Sequence, residues 1–329
     1  MNSLGAGGAQ SPQLVNAANA LTFCLMVVSC YFSSAIVHYI GIKGALIFGT
    51  IGYAPYAAGL YTNNRFGNEW FVLLGAALCG ISAGVFWSAE AAIAIAYPEP
   101  WNRGKALGYW LTYRLTGQII GGAINLGLNA KDSEAGKVSY AVYLAFIGIQ
   151  AAGPFVALFL NKPSKVERQD GKRVELSILE NPWREVVVTS KTFLKPKFLL
   201  VVLWIGQAVF AEAVYFTYLS SFGVYIMLTI GFQVNYLFLY FIITHLASNE
   251  SEVIRYAALL RGTESAWQAV SYGLTSLTVF AEVGGIYMNF ILWAIAIPPV
   301  WLVLRHFGSE EGKSPEPSEV RDTKSSSVE

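Results

Sequence analysis

Long apolar segments constrain the fold of this chain more than any other feature of its sequence. A helix needs about 20 mostly apolar residues to cross the hydrocarbon core of a bilayer, and nine stretches of the 329-residue chain meet that requirement. They lie at 15–37, 43–61, 70–96, 105–128, 138–160, 198–222, 224–247, 262–282 and 285–305. We therefore expect an all-α fold, a polytopic transmembrane helical bundle with the lipid bilayer as its surroundings.

The composition argues against most soluble functions. Only 13% of the residues are charged, whereas soluble domains carry about 25%. The three cysteines lie inside apolar segments without metal-ligand spacing, and the nucleotide-binding and hydrolase motifs are absent from the sequence. We expect no enzyme activity, no cofactor and no metal. The basic residues lie in loops, so we expect no nucleic-acid partner.

The distribution of basic residues predicts the orientation in the membrane. If residue 1 lies outside, 18 Lys and Arg residues fall on the inner side and three on the outer side. Because basic residues concentrate in cytoplasmic loops, we expect a cytoplasmic C-terminus; the membrane itself is not specified. A chain that begins outside without a signal sequence also suggests that a helix normally precedes this one.

Shifts in polarity divide the chain into four parts. We expect an N-terminal helical bundle over 1–160, a cytoplasmic linker over 161–197, a C-terminal bundle over 198–306 and a disordered tail over 307–329. Within the linker, Val174 to Ser190 fits either an interfacial helix or a disordered connection. The apolar run from Phe198 to Leu246 is too long for one span, and Ser220, Ser221 and Gly223 mark the predicted turn of a hairpin.

Several motifs carry a resemblance to a known family. They are the basic turn with Gly41, Lys43 and Gly44, the stretch from Ala83 to Glu90 that leads to Tyr97-Pro98, the stretch Arg103-Gly104-Lys105-Ala106 that leads to Gly121-Gly122, and the stretch Arg261 to Gly273. Together they resemble the Unc-ninety-three-like (ion-channel regulatory protein) branch of the major facilitator superfamily, in its fungal type. The resemblance covers about 15–306.

The resemblance implies twelve helices in two halves, of which about nine are visible here. The chain looks like helices two to seven followed by helices ten to twelve, with the junction near 220–224. Two interpretations remain open at this point: a truncated or mis-spliced gene product, which could be inactive, and a genuine nine-helix protein. The Lys/Arg asymmetry is compatible with both. Removing helices one, eight and nine leaves each remaining loop on its original side of the membrane.

Polar residues inside the apolar segments are the candidate site, because a charge at bilayer depth costs at least about 2.5–3.5 kcal/mol. Glu90 and Arg114 lie at similar depths on consecutive helices, which predicts an ion pair. Either a substrate or proton site or a purely structural role fits these residues, and Arg261 could neutralise the nearby Glu264. The complete candidate set is Glu90, Arg114, Gln118, Asn125, Glu212, Glu264 and Gln268.

Two functions follow from the resemblance. The first is a secondary transporter that moves a small solute or ion across a membrane. The alternative is a non-transporting accessory that regulates or escorts a channel or receptor, with a membrane protein as its partner. In the accessory, the polar stripes would be contact surfaces between helices.

Overall fold

The computed structural model describes residues 12–129, 138–166, 168, 171, 174, 181–218, 222–247, 250–277, 279–280 and 284–305. All regular structure in these parts is helical. The helices are α1 (Pro12–Ile51), α2 (Tyr53–Phe66), α3 (Trp70–Ala96), α4 (Arg103–Asn129), α5 (Tyr140–Ala157), α6 (Pro182–Phe193), α7 (Pro196–Tyr218), α8 (Phe222–Leu246), α9 (Glu250–Thr275) and α10 (Gly285–Leu304). The expected all-α bundle is confirmed.

Helix α1 is two antiparallel arms joined by a tight turn at Gly41, whose φ is 69° and ψ is 166°. The first arm runs parallel to α3: the Thr22 hydroxyl donates to the Ala76 carbonyl, and the Cys30 thiol lies against the Gly84 carbonyl. The second arm continues into α2 and runs the opposite way along α3, since Gly49 packs on Phe86 and Gly59 packs on Phe71. The predicted turn between the first two spans is therefore confirmed.

Small residues on α3 allow both arms to approach closely. A Cβ on Gly84 would lie 2.5 Å from the Ser29 Cβ, and one on Gly75 would lie 2.8 Å from the Pro55 carbonyl oxygen. Lipid supplies no hydrophobic drive between helices, so such close backbone packing is a main source of their association. Helix α3 is consequently the central helix of the first half of the chain.

The length and apolar character of several helices agree with a location in the membrane. Five helical segments within the described residues are long and apolar enough to cross a bilayer, and the first of them, Gln13–Phe66, contains the turn at Gly41. A sixth candidate is the pair α6 and α7, which are bent by 76° relative to each other. Helices α4 and α9 are more polar than these segments. Their polar residues include those of the candidate site.

One predicted segment differs clearly from the structure. The span expected at 262–282 is α9, which begins twelve residues earlier at Glu250 and ends at Thr275. The prediction was wrong because Arg255 and Arg261 were counted as loop residues, whereas both are buried within α9. Without these two residues, sixteen Lys and Arg still fall on the inner side, so the predicted asymmetry remains.

Part of the linker is packed on the bundle. Asn181 caps α6 through its side-chain oxygen, which accepts from the Trp183 and Arg184 amides. Glu185 of α6 is 1% exposed and accepts two hydrogen bonds from Arg255 of α9, at 2.7 and 2.9 Å. This bidentate pair fixes α6 to the second half of the chain. Residues 175–180 of the segment predicted as an interfacial helix or a disordered connection lie outside the described residues, as does the tail 307–329.

Two further contacts tie the linker region to the helices around it. Arg168 donates to the Ala96 and Tyr97 carbonyls, where a cation is favourable at the C-terminal end of α3. Lys195 donates to Glu252 at 2.8 Å, and this hydrogen bond raises the pKa of the Lys195 ammonium. The linker therefore contacts helices from both halves of the chain.

Both halves also share their apolar interior. Helix α9 packs against α1 and α3 as well as α7, and α10 packs on α7. The largest buried cluster joins Ile95 of α3 and Leu111 of α4 to Phe198 of α7, Tyr240 of α8 and Leu260 of α9. The site described next lies beside this cluster.

Candidate functional site

Charged and aromatic side chains from α3, α4, α8 and α9 meet in one group, which we call the ion–aromatic cluster. Each helix contributes two residues three or four positions apart, a spacing that places both on one helical face. The members are Trp87, Glu90, Trp110, Arg114, Tyr236, Tyr240, Arg261 and Glu264. The cluster therefore joins two helices of the first half of the chain to two of the second.

Arg261 and Glu264 form the buried ion pair of the cluster. Arg261 Nη1 donates to Glu264 Oε2 at 2.9 Å, and both side chains are 4% exposed. The Tyr236 hydroxyl lies 3.3 Å from the same carboxylate oxygen. Arg261 Nε and Nη2 and Glu264 Oε1 have no hydrogen-bond partner in the described part of the protein. The expectation that Arg261 neutralises Glu264 is confirmed.

Aromatic faces surround the Arg261 guanidinium. Its central carbon lies 4.8 Å from the centre of the Trp87 ring, 4.9 Å from Tyr236, 5.6 Å from Trp110 and 5.7 Å from Tyr240. A cation within about 6 Å of such rings is attracted by their quadrupoles, more strongly when water is excluded. The rings thus replace part of the hydration that the guanidinium loses on burial.

Arg114 is held by aromatic faces in the same way, but without a carboxylate partner among the described residues. Its guanidinium carbon lies 4.5 Å from the Tyr236 ring and 5.0 Å from the Trp87 ring. The predicted Glu90–Arg114 ion pair is wrong. Glu90 Oε1 instead accepts a 2.7 Å hydrogen bond from Trp110 Nε1, since Trp110 lies one turn before Arg114 on the same face of α4.

The other candidate residues are not among the described members of the ion–aromatic cluster. Gln118 is on the exposed surface of α4, and Asn125 is half-buried farther along the same helix. Gln268 is half-buried one turn after Glu264. Glu212 falls within α7, but its side chain lies outside the described residues. Their roles stay predictions.

The aromatic members of the cluster were not predicted. Trp110 and Tyr236 each stand four residues from another cluster residue, Arg114 and Tyr240, and this spacing was visible in the sequence. In a chain with 14% aromatic residues, such pairs are too frequent to single out. Only the arrangement of four helices around the two arginines shows which rings matter.

A cavity of about 760 Å³, open to the surface beside Tyr109 and Tyr113, extends from Glu90 between α3, α4, α5 and the second arm of α1. Rings and hydrocarbon line most of it, including Tyr97, Tyr109, Trp110 and Tyr113. Glu90 is the one charged residue among its lining residues, and Glu90 Oε2 has no hydrogen-bond partner within the described residues. Glu90 therefore belongs both to the cluster and to the cavity wall.

Comparison with known proteins identifies the family. The family model described as Major Facilitator Superfamily matches residues 2–314. The chain belongs to the major facilitator superfamily. The chain is also similar to UNC93-like proteins of fungi and plants, which confirms the resemblance read from the motifs. It is thus an integral, multi-pass membrane protein of a superfamily that generally consists of transporters rather than enzymes.

Three relatives define the extent of the similarity. Notoamide biosynthesis cluster protein O' of Aspergillus versicolor is 33% identical over 95% of this chain and 86% of its own length. An UNC93-like protein of Schizosaccharomyces pombe and UNC93-like protein 1 of Arabidopsis thaliana are each 29% identical over 61% of this chain. The chain matches only 40% and 44% of the lengths of the latter two.

The alignment with the Aspergillus versicolor protein also bears on the expectation that helices are missing. It extends over 396 residues, although this chain has 329. The relative therefore carries residues inside the aligned region that have no counterpart here. This agrees with the expectation that this member of the superfamily lacks an internal segment.

Proposed function

We propose that the protein is a secondary transporter that moves a small solute or ion, with its site at the ion–aromatic cluster. The observation that carries this proposal is the meeting of two arginines and two glutamates where α3 and α4 join α8 and α9. Charges at membrane depth are costly and generally mark a substrate or ion pathway. Family membership supports the same function, because transporters of this superfamily bind near the bilayer midplane between their halves.

The arrangement is suited to changing partners during transport. Glu90, Glu264 and Arg261 each retain at least one buried polar atom without a hydrogen-bond partner in the described residues. A bound solute or proton would satisfy such atoms, and relative movement of the two halves would alter which aqueous side reaches them. We also propose that the linker and the C-terminus lie on the cytoplasmic side, as the basic residues indicate.

Proteoliposomes containing the purified full chain provide the test. Amines, carboxylic acids and sugars would be added singly to vesicles loaded with a pH-sensitive dye, under an imposed proton gradient. We expect at least one solute to change the internal pH faster than in protein-free vesicles. Glu90→Gln, Arg114→Ala and Glu264→Gln should each reduce that rate at least about tenfold without reducing protein incorporation.

The matched control is Glu69→Gln, which changes an exposed carboxylate at the start of α3 and should leave the rate unchanged. If no solute moves, and the protein instead co-purifies in fixed ratio with another membrane protein, the transporter proposal is rejected in favour of the accessory function. Full transport by all three variants would reject the site.

A further inference from the structure

The cavity beside Glu90 has a composition that restricts its ligand. Its volume of about 760 Å³ is typical of pockets for small organic molecules, and it is much larger than an inorganic ion requires. Most of its lining side chains are aliphatic or aromatic, as at Leu46, Ile93 and Tyr113. Such walls favour a ligand with an apolar body.

Charge is present on this wall at one point. Glu90 Oε1 is occupied by Trp110, whereas Oε2 is buried without a hydrogen-bond partner in the described residues. Burying a carboxylate oxygen is costly unless a donor or a cation satisfies it. Glu90 is therefore the position on this wall at which a cationic group is favoured.

The two arginines of the cluster do not fill this role. Arg261 is paired with Glu264, and Arg114 lies over the Tyr236 and Trp87 rings. Neither arginine is among the residues that line the cavity. Among the lining residues, a ligand in the cavity thus encounters charge only at Glu90.

Aromatic rings lie on the same wall as Glu90. Tyr97, Tyr109, Trp110 and Tyr113 all line the cavity, and their faces attract cations as well as apolar groups. We propose that the cavity binds a lipophilic organic monocation, an amine with an aromatic or aliphatic body. This inference rests on the proposed transport function in that it names the substrate class.

Binding can be measured separately from transport with three probes of matched shape. These are 4-phenylbutylamine as the cation, 4-phenylbutanol as the neutral compound and 4-phenylbutyrate as the anion. Calorimetry on the full chain in nanodiscs should show binding of the amine at least about tenfold tighter than either analogue. Glu90→Gln should remove that preference, because the glutamine oxygen still accepts from Trp110 but carries no charge.

Two further variants separate charge from shape. Ala106→Phe places a ring in the cavity and should weaken binding of both the amine and the alcohol. Glu69→Gln should leave all affinities unchanged. Equal binding of amine and alcohol to wild type and Glu90→Gln would show an apolar groove for lipid and overturn the proposal, as would tighter binding of the butyrate.

Transport and binding fail in different ways. If the amine binds through Glu90 but never crosses proteoliposome membranes, the transport proposal is wrong and the assignment of the cavity stands. If another solute is transported while the amine neither binds nor competes, the cavity assignment is wrong and transport stands.

Discussion

The side chains at the site show how buried charges are stabilised inside this bundle. Arg261 combines one carboxylate with several aromatic faces, whereas Arg114 relies on aromatic faces alone among the contacts described above. The sequence predicted which charges are unusual, because a charge in an apolar segment is conspicuous. It did not predict that Trp110 rather than Arg114 contacts Glu90, since that depends on the rotation of α4 about its axis.

The buried pair between Glu185 and Arg255 leads to a prediction on stability. Arg255→Ala leaves the Glu185 carboxylate buried without its bidentate partner, and breaking such a pair costs about 3–5 kcal/mol. We expect a clear fall in the thermal unfolding midpoint of the detergent-solubilised protein, followed by tryptophan fluorescence.

Lys195→Ala is the control for that measurement. It removes the ion pair with Glu252, in which the lysine side chain is 43% exposed, and pairs of this kind contribute about 1 kcal/mol or less. Equal falls for the two variants would show that α6 is not fixed by Glu185.

At the level of the elements, two helix boundaries are informative: the turn at Gly41 and the start of α9. The basic turn predicted the break in α1 because glycine and lysine interrupt an apolar run. The start of α9 could not be predicted, since Glu252 and Arg255 look like loop residues until their partners, Lys195 and Glu185, are known.

A substitution at Gly41 tests the first turn. Its φ of 69° with ψ of 166° lies in a region that essentially only glycine adopts. Because a Cβ there would meet nothing within 4 Å, the cost of Gly41→Ala is backbone strain alone, about 1–3 kcal/mol. We expect a lower unfolding midpoint, measured by circular dichroism at 222 nm.

Gly104 gives a matched comparison. A methyl group on Gly104 would also meet open space, but the backbone there is not left-handed, and alanine is the better helix former by about 0.5–1 kcal/mol. Gly104→Ala should be neutral or stabilising. A Gly41→Ala protein as stable as Gly104→Ala would contradict the tight turn.

On the scale of the whole molecule, α9 is the element that unites the chain. It packs on α1 and α3 from the first half and on α7 from the second, so the cluster forms only if both halves are correctly placed in the membrane. The Lys/Arg asymmetry predicts that placement, with the linker and the C-terminus on one side.

Protease protection of tagged protein in sealed vesicles tests this orientation. Tags after Lys172 and Glu329 should be cleaved together from the cytoplasmic face. A tag inserted after Asn68, between α2 and α3, should be protected from the same protease and cleaved only after detergent is added. Cleavage of the first two tags from opposite faces would reject the orientation.

The sequence by itself determined the helical class, the approximate spans, the turn near Gly41 and the family, because apolar length and local motifs are properties of consecutive residues. It also identified Glu90, Arg114 and Glu264 as unusual, since charge in an apolar segment needs no structure to be seen. The tertiary structure decided which residues meet: Trp110 with Glu90, Glu185 with Arg255, and four rings with Arg261. These contacts depend on the rotation and crossing of helices that are distant in the chain. The hydropathy pattern of the sequence specifies neither the rotation nor the crossing.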